Sequence, residues 1–260
     1  MVDSPYYRFF RYIKYPLPFK QWKKLPRLLT HKNEYWDGHV RLSARPMTCD
    51  VILPLAGWQR PISPDADERP GQLELAIRTL QDQDWKELPD LYHSAFAQQQ
   101  PLYSWNSFAA ARASRAIIKH AQTGEDGPLV RKACFIAHGR LFRHRKQESL
   151  ELCGAAITTI VPISRVSGVE KADAIPHPEQ PDKLVVPHLD WIFVSQPYQA
   201  SGVATMLLED VVTSLKNSGF RTLTSTILLE NANSMRWHWR NGFKLPARPW
   251  GASLPVRIAP

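Results

Sequence analysis

Gln199-Ala200-Ser201-Gly202-Val203-Ala204 sets small side chains and one glycine between an apolar run, "LDWIFVS" (189–195), and a segment with helical spacing. A chain that passes from strand to helix through such a bend turns successive backbone N–H groups toward one point, where the helix dipole adds positive potential. A pyrophosphate fits there. Gly202 has no Cβ, so an anion can approach the backbone, and Ala204 keeps the first helical turn narrow. The stretch carries neither Gly-Lys-Ser/Thr nor Gly-x-Gly-x-x-Gly. An ordinary tight strand–helix corner would use the same residues. Close by, Asp190 sits inside "PHLDWIFV", although Asp is disfavoured within strands. It either faces a substrate slot or lies at a solvated strand end. Strand alternation puts His188, Asp190, Ile192 and Val194 on one face. Cys134 and Cys153 fall in apolar runs and read as core thiols rather than nucleophiles.

Elements must exist to position these groups, and the chain supplies them in a readable order. "LELAIRTL" (73–80) predicts a strand, and residues 82–98 and 104–122 predict helices. Residues 130–139 and 150–163 predict strands flanking a basic turn. A Pro-rich loop follows from 164 to 187, and a strand over 188–195 follows the loop. The periodicity of "VATMLLEDVVTSLKN" predicts a helix over 203–217 closed by Gly219. "RTLTSTILL" (221–229) alternates hydroxyl and apolar residues as a strand does. "NANSMRWHWRNGF" (231–243) predicts a short helix, and the tail predicts one more strand. There is no internal repeat.

Residues 1–70 have a different character. "YYRFFRYIKYPLPFKQWKKLPRLL" interleaves aromatic and basic residues, and "RPISPDADERPG" (60–71) reads as a linker. The expected division is therefore an extension with its linker over 1–70 and a main domain over 71–260. The favoured reading of the arm is aromatic packing on this subunit or on a second copy of the chain. Binding of nucleic acid or a membrane surface through residues 1–32 ranks below it. The hydrophobic content of 43% supports a full core, and a formal net charge of +9 favours anionic ligands. Three cysteines are too few for a disulfide framework and show no metal-ligand spacing, so no metal is expected and the chain reads as cytoplasmic. No apolar run approaches the ~18 residues of a membrane helix, and the N-terminus lacks the apolar core of a secretory signal.

The stretch "FVSQPYQASGVATMLL" resembles the acetyl-CoA loop of the GNAT N-acetyltransferase superfamily, whose signature is Gln/Arg-x-x-Gly-x-Gly/Ala between the fourth strand and third helix. "NANSMRWHWRNGF" resembles that superfamily's Asn-x-x-Ala-x-x-Leu-Tyr-x-x-x-Gly-Phe motif, with Asn231, Ser234, Trp237, Gly242 and Phe243 on its positions. The likeness covers about 71–245. It implies an α/β (α+β type) fold: a mixed, mostly antiparallel twisted sheet of six to seven strands, about four flanking helices, and a splay between the fourth and fifth strands. It implies acetyl-CoA as co-substrate, with pantetheine along Phe193 and Val194, pyrophosphate on the amides of Gln199, Ala200, Ser201, Gly202, Val203 and Ala204, and Asn231 nearby. The implied reaction is direct attack of an amine, on a small molecule or a peptide, on the thioester. His238 stands where the superfamily usually has a Tyr that protonates the departing thiolate. It would take that role or be a surface imidazole. Asp190 and Glu230, on the two sides of the slot, are the candidate bases. The loop 164–187 would form the acceptor-site rim or a surface excursion. The rival reading is a non-catalytic acyl-CoA-binding or RNA-binding protein on the same fold, which the missing Tyr and the basic arm keep open.

Overall fold

Leu223 and Ile227 alternate with threonines in "TLTSTIL", and both are buried, so this strand turns one face to a core. The same rule repeated along the chain builds a mixed sheet. The computed structural model describes residues 35–36, 40–41, 47–61, 73–98, 106–141, 149–166, 168–228, 231–246 and 256–258. In chain order the strands are β1 (Met47–Pro54), β2 (Leu73–Thr79), β3 (Phe135–Leu141), β4 (Glu151–Pro162), β5 (Ile175–Pro176), β6 (Leu184–Val194), β7 (Thr222–Leu228) and β8 (Val256–Ile258). The helices are α1 (Leu88–Phe96), α2 (Ser107–Thr123), α3 (Val203–Asn217) and α4 (Ala232–Arg240). Seven strands follow the order β8-β1-β7-β6-β4-β3-β2, and β5 adds a short pairing to β6. Neighbours are antiparallel except β6 and β7. A separate two-residue pairing joins Tyr35–Trp36 to Val40–Arg41.

Two apolar layers enclose the sheet. On one face, α3 buries Val203, Leu207, Val211 and Leu215 in a cluster shared with Cys49, Val51 and Leu53 of β1 and with Phe243 after α4. On the other, α1 and α2 bury Leu88, Tyr92 and Ile118 against β3, β4 and β6. That second cluster contains no residue of β1 or β7, so this half of the face carries polar side chains instead. No helix among the described residues is long and apolar enough to cross a membrane.

Three expectations change. Met47–Pro54 lies in the sheet beside β7, with Val51 fully buried, so the sheet begins before the boundary expected near residue 71. Composition reads only local neighbours, and the partner of β1 lies far along the chain. The helix expected over 82–98 is a 3-10 turn, Asp82–Lys86, followed by α1, which starts beside Pro89, tolerated in a first turn. The stretch 164–187 is not one open loop. It holds 3-10 turns at Ile163–Arg165 and Lys171–Asp173, the strand β5, and a turn in which the His177 N–H donates to the Lys183 carbonyl at 2.7 Å. Val161, Val166 and Val186 give it a small apolar cluster of its own, and β6 starts at Leu184 rather than at 188. The aromatic–basic stretch 6–29 lies outside the described residues.

Candidate active site

β6 and β7 run parallel yet pair only at His188↔Thr224 and Leu189↔Ser225. Beyond them β6 continues on β4 and β7 continues on β1, so a gap opens between the two strands. This is the expected splay. The Ser195 N–H donates to the Cys153 carbonyl at 2.8 Å. Bonded pairs alternate along an antiparallel ladder, so Phe193 shares the phase of Ser195 and turns its backbone to β4. Ile192 and Val194 turn theirs to the gap. The expectation for Phe193 is thus corrected: its ring packs in the core against Tyr92 (centroids 5.4 Å apart), and Ile192 takes its place at the edge.

At the mouth of the gap the chain makes the turn into α3. Ala200 has φ 61° and Gly202 has φ 87°. Both are left-handed, which costs a non-glycine residue energy and signals a shaped loop. The first helical bonds run from Thr205 and Met206 to the Gly202 carbonyl, so the N–H groups of Val203 and Ala204 precede the ladder. A Cβ on Gly202 would meet only the Met206 Cε at 3.9 Å, so the space above the backbone is open. These features fit a pyrophosphate on the amides of Ala200, Ser201, Gly202, Val203 and Ala204. Gln199 does not fit that role. Its N–H already donates to Gln196, and its side-chain Nε2 donates to the carbonyls of Ala95 and Val194, both at 3.0 Å. Gln199 therefore ties the loop to α1 and β6.

Asp190 occupies a bulge. Opposite β4 the register passes from Trp191↔Ile157 to Leu189↔Thr158, leaving Asp190 as the extra residue. The bulge breaks the expected common face. Ile192 and Val194 pack on the α3 side, while Trp191 and Phe193 pack on the α1 side. The Asp190 side chain is 9% exposed, and its Oδ2 is buried with no partner within hydrogen-bond distance among the described residues. Burial pushes its carboxyl up to about 7, opposed by the nearby Thr159 hydroxyl. Its Oδ1 lies 3.8 Å from His188 Nε2.

His188 Nδ1 lies 2.9 Å from Thr224 Oγ1. That hydroxyl donates to the Pro187 carbonyl, so it accepts here and the proton sits on Nδ1. Nε2 lies 3.4 Å from Thr226 Oγ1, which in turn donates to Asp50 Oδ1 at 3.1 Å. Asp50, on β1, is 2% exposed. Sequence reading missed Asp50, Thr224 and Thr226. The signal for Asp50 was present: one acid inside "CDVILPL", a run of strand-forming residues.

His238 is buried on α4. Its Nδ1–H donates to the Ser234 carbonyl at 2.7 Å, and its Nε2 lies 3.2 Å from the Ser225 hydroxyl. Burial pulls the imidazole down to about 4, opposed by the bond to Ser234, so the ring is neutral near pH 7. Both nitrogens are engaged within the protein. That geometry contradicts a surface imidazole and does not suit a proton donor to a thiolate. The Asn231 side chain caps α4 by accepting from the Ser234 N–H at 3.0 Å. Glu230 lies outside the described residues. His93 Nδ1 is buried without a hydrogen-bond partner among the described residues. Burial raises Cys134 to about 11 and Cys153 to about 12, so both are protonated core thiols. Among the described residues no group of three or more His, Cys, Asp or Glu could hold a metal ion.

Residues 171–243 match the model of the acetyltransferase (GNAT) family. The likeness to that family covers these residues, less than half of the chain. The match spans α3, the gap-lining strands and α4. A GCN5-related N-acetyltransferase from Sphaerobacter thermophilus is similar at 13% identity and TM-score 0.46, over 78% of this chain and 49% of that one, so the chain spans about half its length. The aminoglycoside N-acetyltransferase AAC(6')-Iy, solved with CoA, is similar at 20% identity and TM-score 0.44, over 71% of this chain and 97% of that one. AAC(6')-Ih from Acinetobacter baumannii is similar at 16% identity and TM-score 0.42, over 69% and 97%. No curated protein sequence matches the chain.

Proposed function

We propose that the protein transfers an acetyl group from acetyl-CoA directly to a primary amine, with Asp190 as the base. The observation that carries this reading is the buried Oδ2 of Asp190, without a partner in hydrogen-bond distance among the described residues, at the point where β6 and β7 part. CoA would lie with its pyrophosphate on the amides of Ala200 to Ala204 and its pantetheine beside Ile192 and Val194. When bound it supplies the thioester carbonyl. The residues of this chain supply position and a proton acceptor. A carboxyl near 7 takes a proton from an ammonium at neutral pH far better than one near the usual ~3.9. The half of the sheet without a helix, floored by Thr224, Thr226 and Asp50, offers the amine a polar approach. Gly168, in the segment between β4 and β6, packs against Pro246, and we assign the segment 164–187 to the acceptor rim.

Burial keeps His238 neutral near pH 7, with its one ring proton on Nδ1 bound to the Ser234 carbonyl, which also favours the second reading, a non-catalytic acyl-CoA-binding protein. One experiment separates them. Acetyl-CoA should raise Tm by binding the native state, and thiol release should appear with an amine from a panel of small amines and peptides. Gly202→Asp, which puts a carboxylate where phosphate must sit, should abolish the shift. A folded Gly202→Asp protein that binds CoA normally overturns the loop assignment. Binding without thiol release from any amine selects the second reading.

A further inference from the structure

The family match begins at residue 171, yet one buried acid beside the site comes from β1, far upstream of it. Asp50 Oδ1 accepts the Thr226 hydroxyl proton at 3.1 Å. Thr226 Oγ1 therefore turns a lone pair toward His188 Nε2, 3.4 Å away. Thr224 has fixed the other proton of the ring on Nδ1. A neutral His188 would then set its Nε2 lone pair against the Thr226 lone pair and the Asp190 Oδ1 at 3.8 Å. A proton on Nε2 turns both contacts into attractions.

We infer that Asp50 is a positioning residue: through the Thr226 hydroxyl it biases His188 toward the doubly protonated ring that faces Asp190. The role of the line Asp50–Thr226–His188 is to keep a cation next to the carboxylate that must accept the proton of the amine. The cation offsets only part of the burial that holds the Asp190 carboxyl up, so that the ionised form is present to act as base near neutral pH. Among the described residues, the groups that face this pair include Asp50 on β1, Thr224 and Thr226 on β7, Thr159 on β4, Cys134 before β3, and Asp126, whose like charge opposes ionisation of Asp190. The inference rests on the reading of Asp190 as base, but it concerns the state of His188, which can be read without turnover.

The test is the titration of His188 in the full-length chain, followed by long-range imidazole ¹⁵N NMR and assigned by loss of its signals in His188→Gln. In the wild type the neutral ring should carry its proton on Nδ1. Asp50→Asn lets the new amide donate to Thr226, which frees the Thr226 hydroxyl to donate to Nε2. The His188 pKa should fall by about one unit. Thr226→Val should lower it by a similar amount, Thr226→Ser should restore it, and Asp50→Asn should add nothing further in the Val background. Thr226 is exposed, so its variants remain informative if Asp50→Asn does not fold. An Asp50→Asn shift that survives undiminished in Thr226→Val would mean a through-space field and overturn the relay. No shift in any variant would overturn the inference as well. With an amine substrate, the acid limb of kcat/KM, which reports ionisation of Asp190, should move to higher pH in Asp50→Asn. The expected titrations without any turnover would sink the proposed function alone. Turnover with unmoved titrations would sink this inference alone.

Discussion

Asp190 and His238 are buried groups whose ionisation is shifted in opposite directions, and this gives stability a legible pH dependence. Burial raises Asp190 to about 7, above its unfolded value of ~3.9. Between these values the folded state holds a proton that the unfolded state has lost, so its contribution to stability falls as pH rises from about 4 to about 7. Burial lowers His238 to about 4, below its unfolded value of ~6.5. Its contribution is complete above about 6.5 and is lost as pH falls toward 4. The two slopes oppose each other between about pH 4 and 6.5. We predict that Asp190→Asn unmasks the His238 term: unfolding free energy should climb across that window by on the order of 3 kcal/mol, measured by denaturant titration at fixed pH steps. His238→Phe should show the reverse slope. A variant profile no steeper than the wild type would refute the burial of the remaining partner as an energetic effect. Asp190→Asn should also lie above the wild type in stability at pH 8 while losing turnover, as expected where a site holds an unfavourable group for function.

At the scale of elements, the segment between β4 and β6 is tied across the molecule by one glycine. Gly168 has φ 74°, and a Cβ there would stand 2.2 Å from the Pro246 Cβ. Both backbone conformation and space exclude a side chain. Pro246 follows Lys244, which pairs with Ile52 of β1. The segment therefore reaches from the β4–β6 half of the sheet to the β1 half, bridging the strands that part at the site. Gly168→Ala should push it away from Pro246 at a cost of roughly 1–3 kcal/mol. If the segment is the acceptor rim, the same substitution should raise KM for the amine several-fold and leave acetyl-CoA affinity within about twofold. Equal KM values for both substrates in the variant and the wild type would make the segment a surface excursion.

The whole molecule depends on a strand that precedes the matched region. β1 lies between β7 and β8, with Cys49, Val51 and Leu53 at most 2% exposed. Burying three such side chains contributes on the order of 5–8 kcal/mol before the cost of ordering them, comparable with the net stability of a domain. A chain starting at residue 55 would also leave the long edge of β7 unpaired, an invitation to aggregation. We predict that this truncated chain is insoluble or lacks a cooperative melting transition by circular dichroism. A soluble, cooperatively melting product that binds acetyl-CoA would show that β1 is dispensable.

Helix 203–217 and strand 222–228 were legible to within a residue, because helical period, strand alternation and turn chemistry are set by neighbours in sequence. The bend before that helix was legible for the same reason: one glycine and small residues between a strand and a helix define a local shape. The sequence could not show that Asp190 sits on a bulge, because the extra residue exists only relative to the register of Thr158 and Ile157 on another strand. Nor could it show that His238 is buried between Trp237 and Phe243 and bound to Ser225, because burial is a property of what packs over a residue. The placement of β1, and with it Asp50, was the least legible of all. A strand without its partner is only an apolar run, and the partner of β1 is β7, brought beside it by folding of the whole chain.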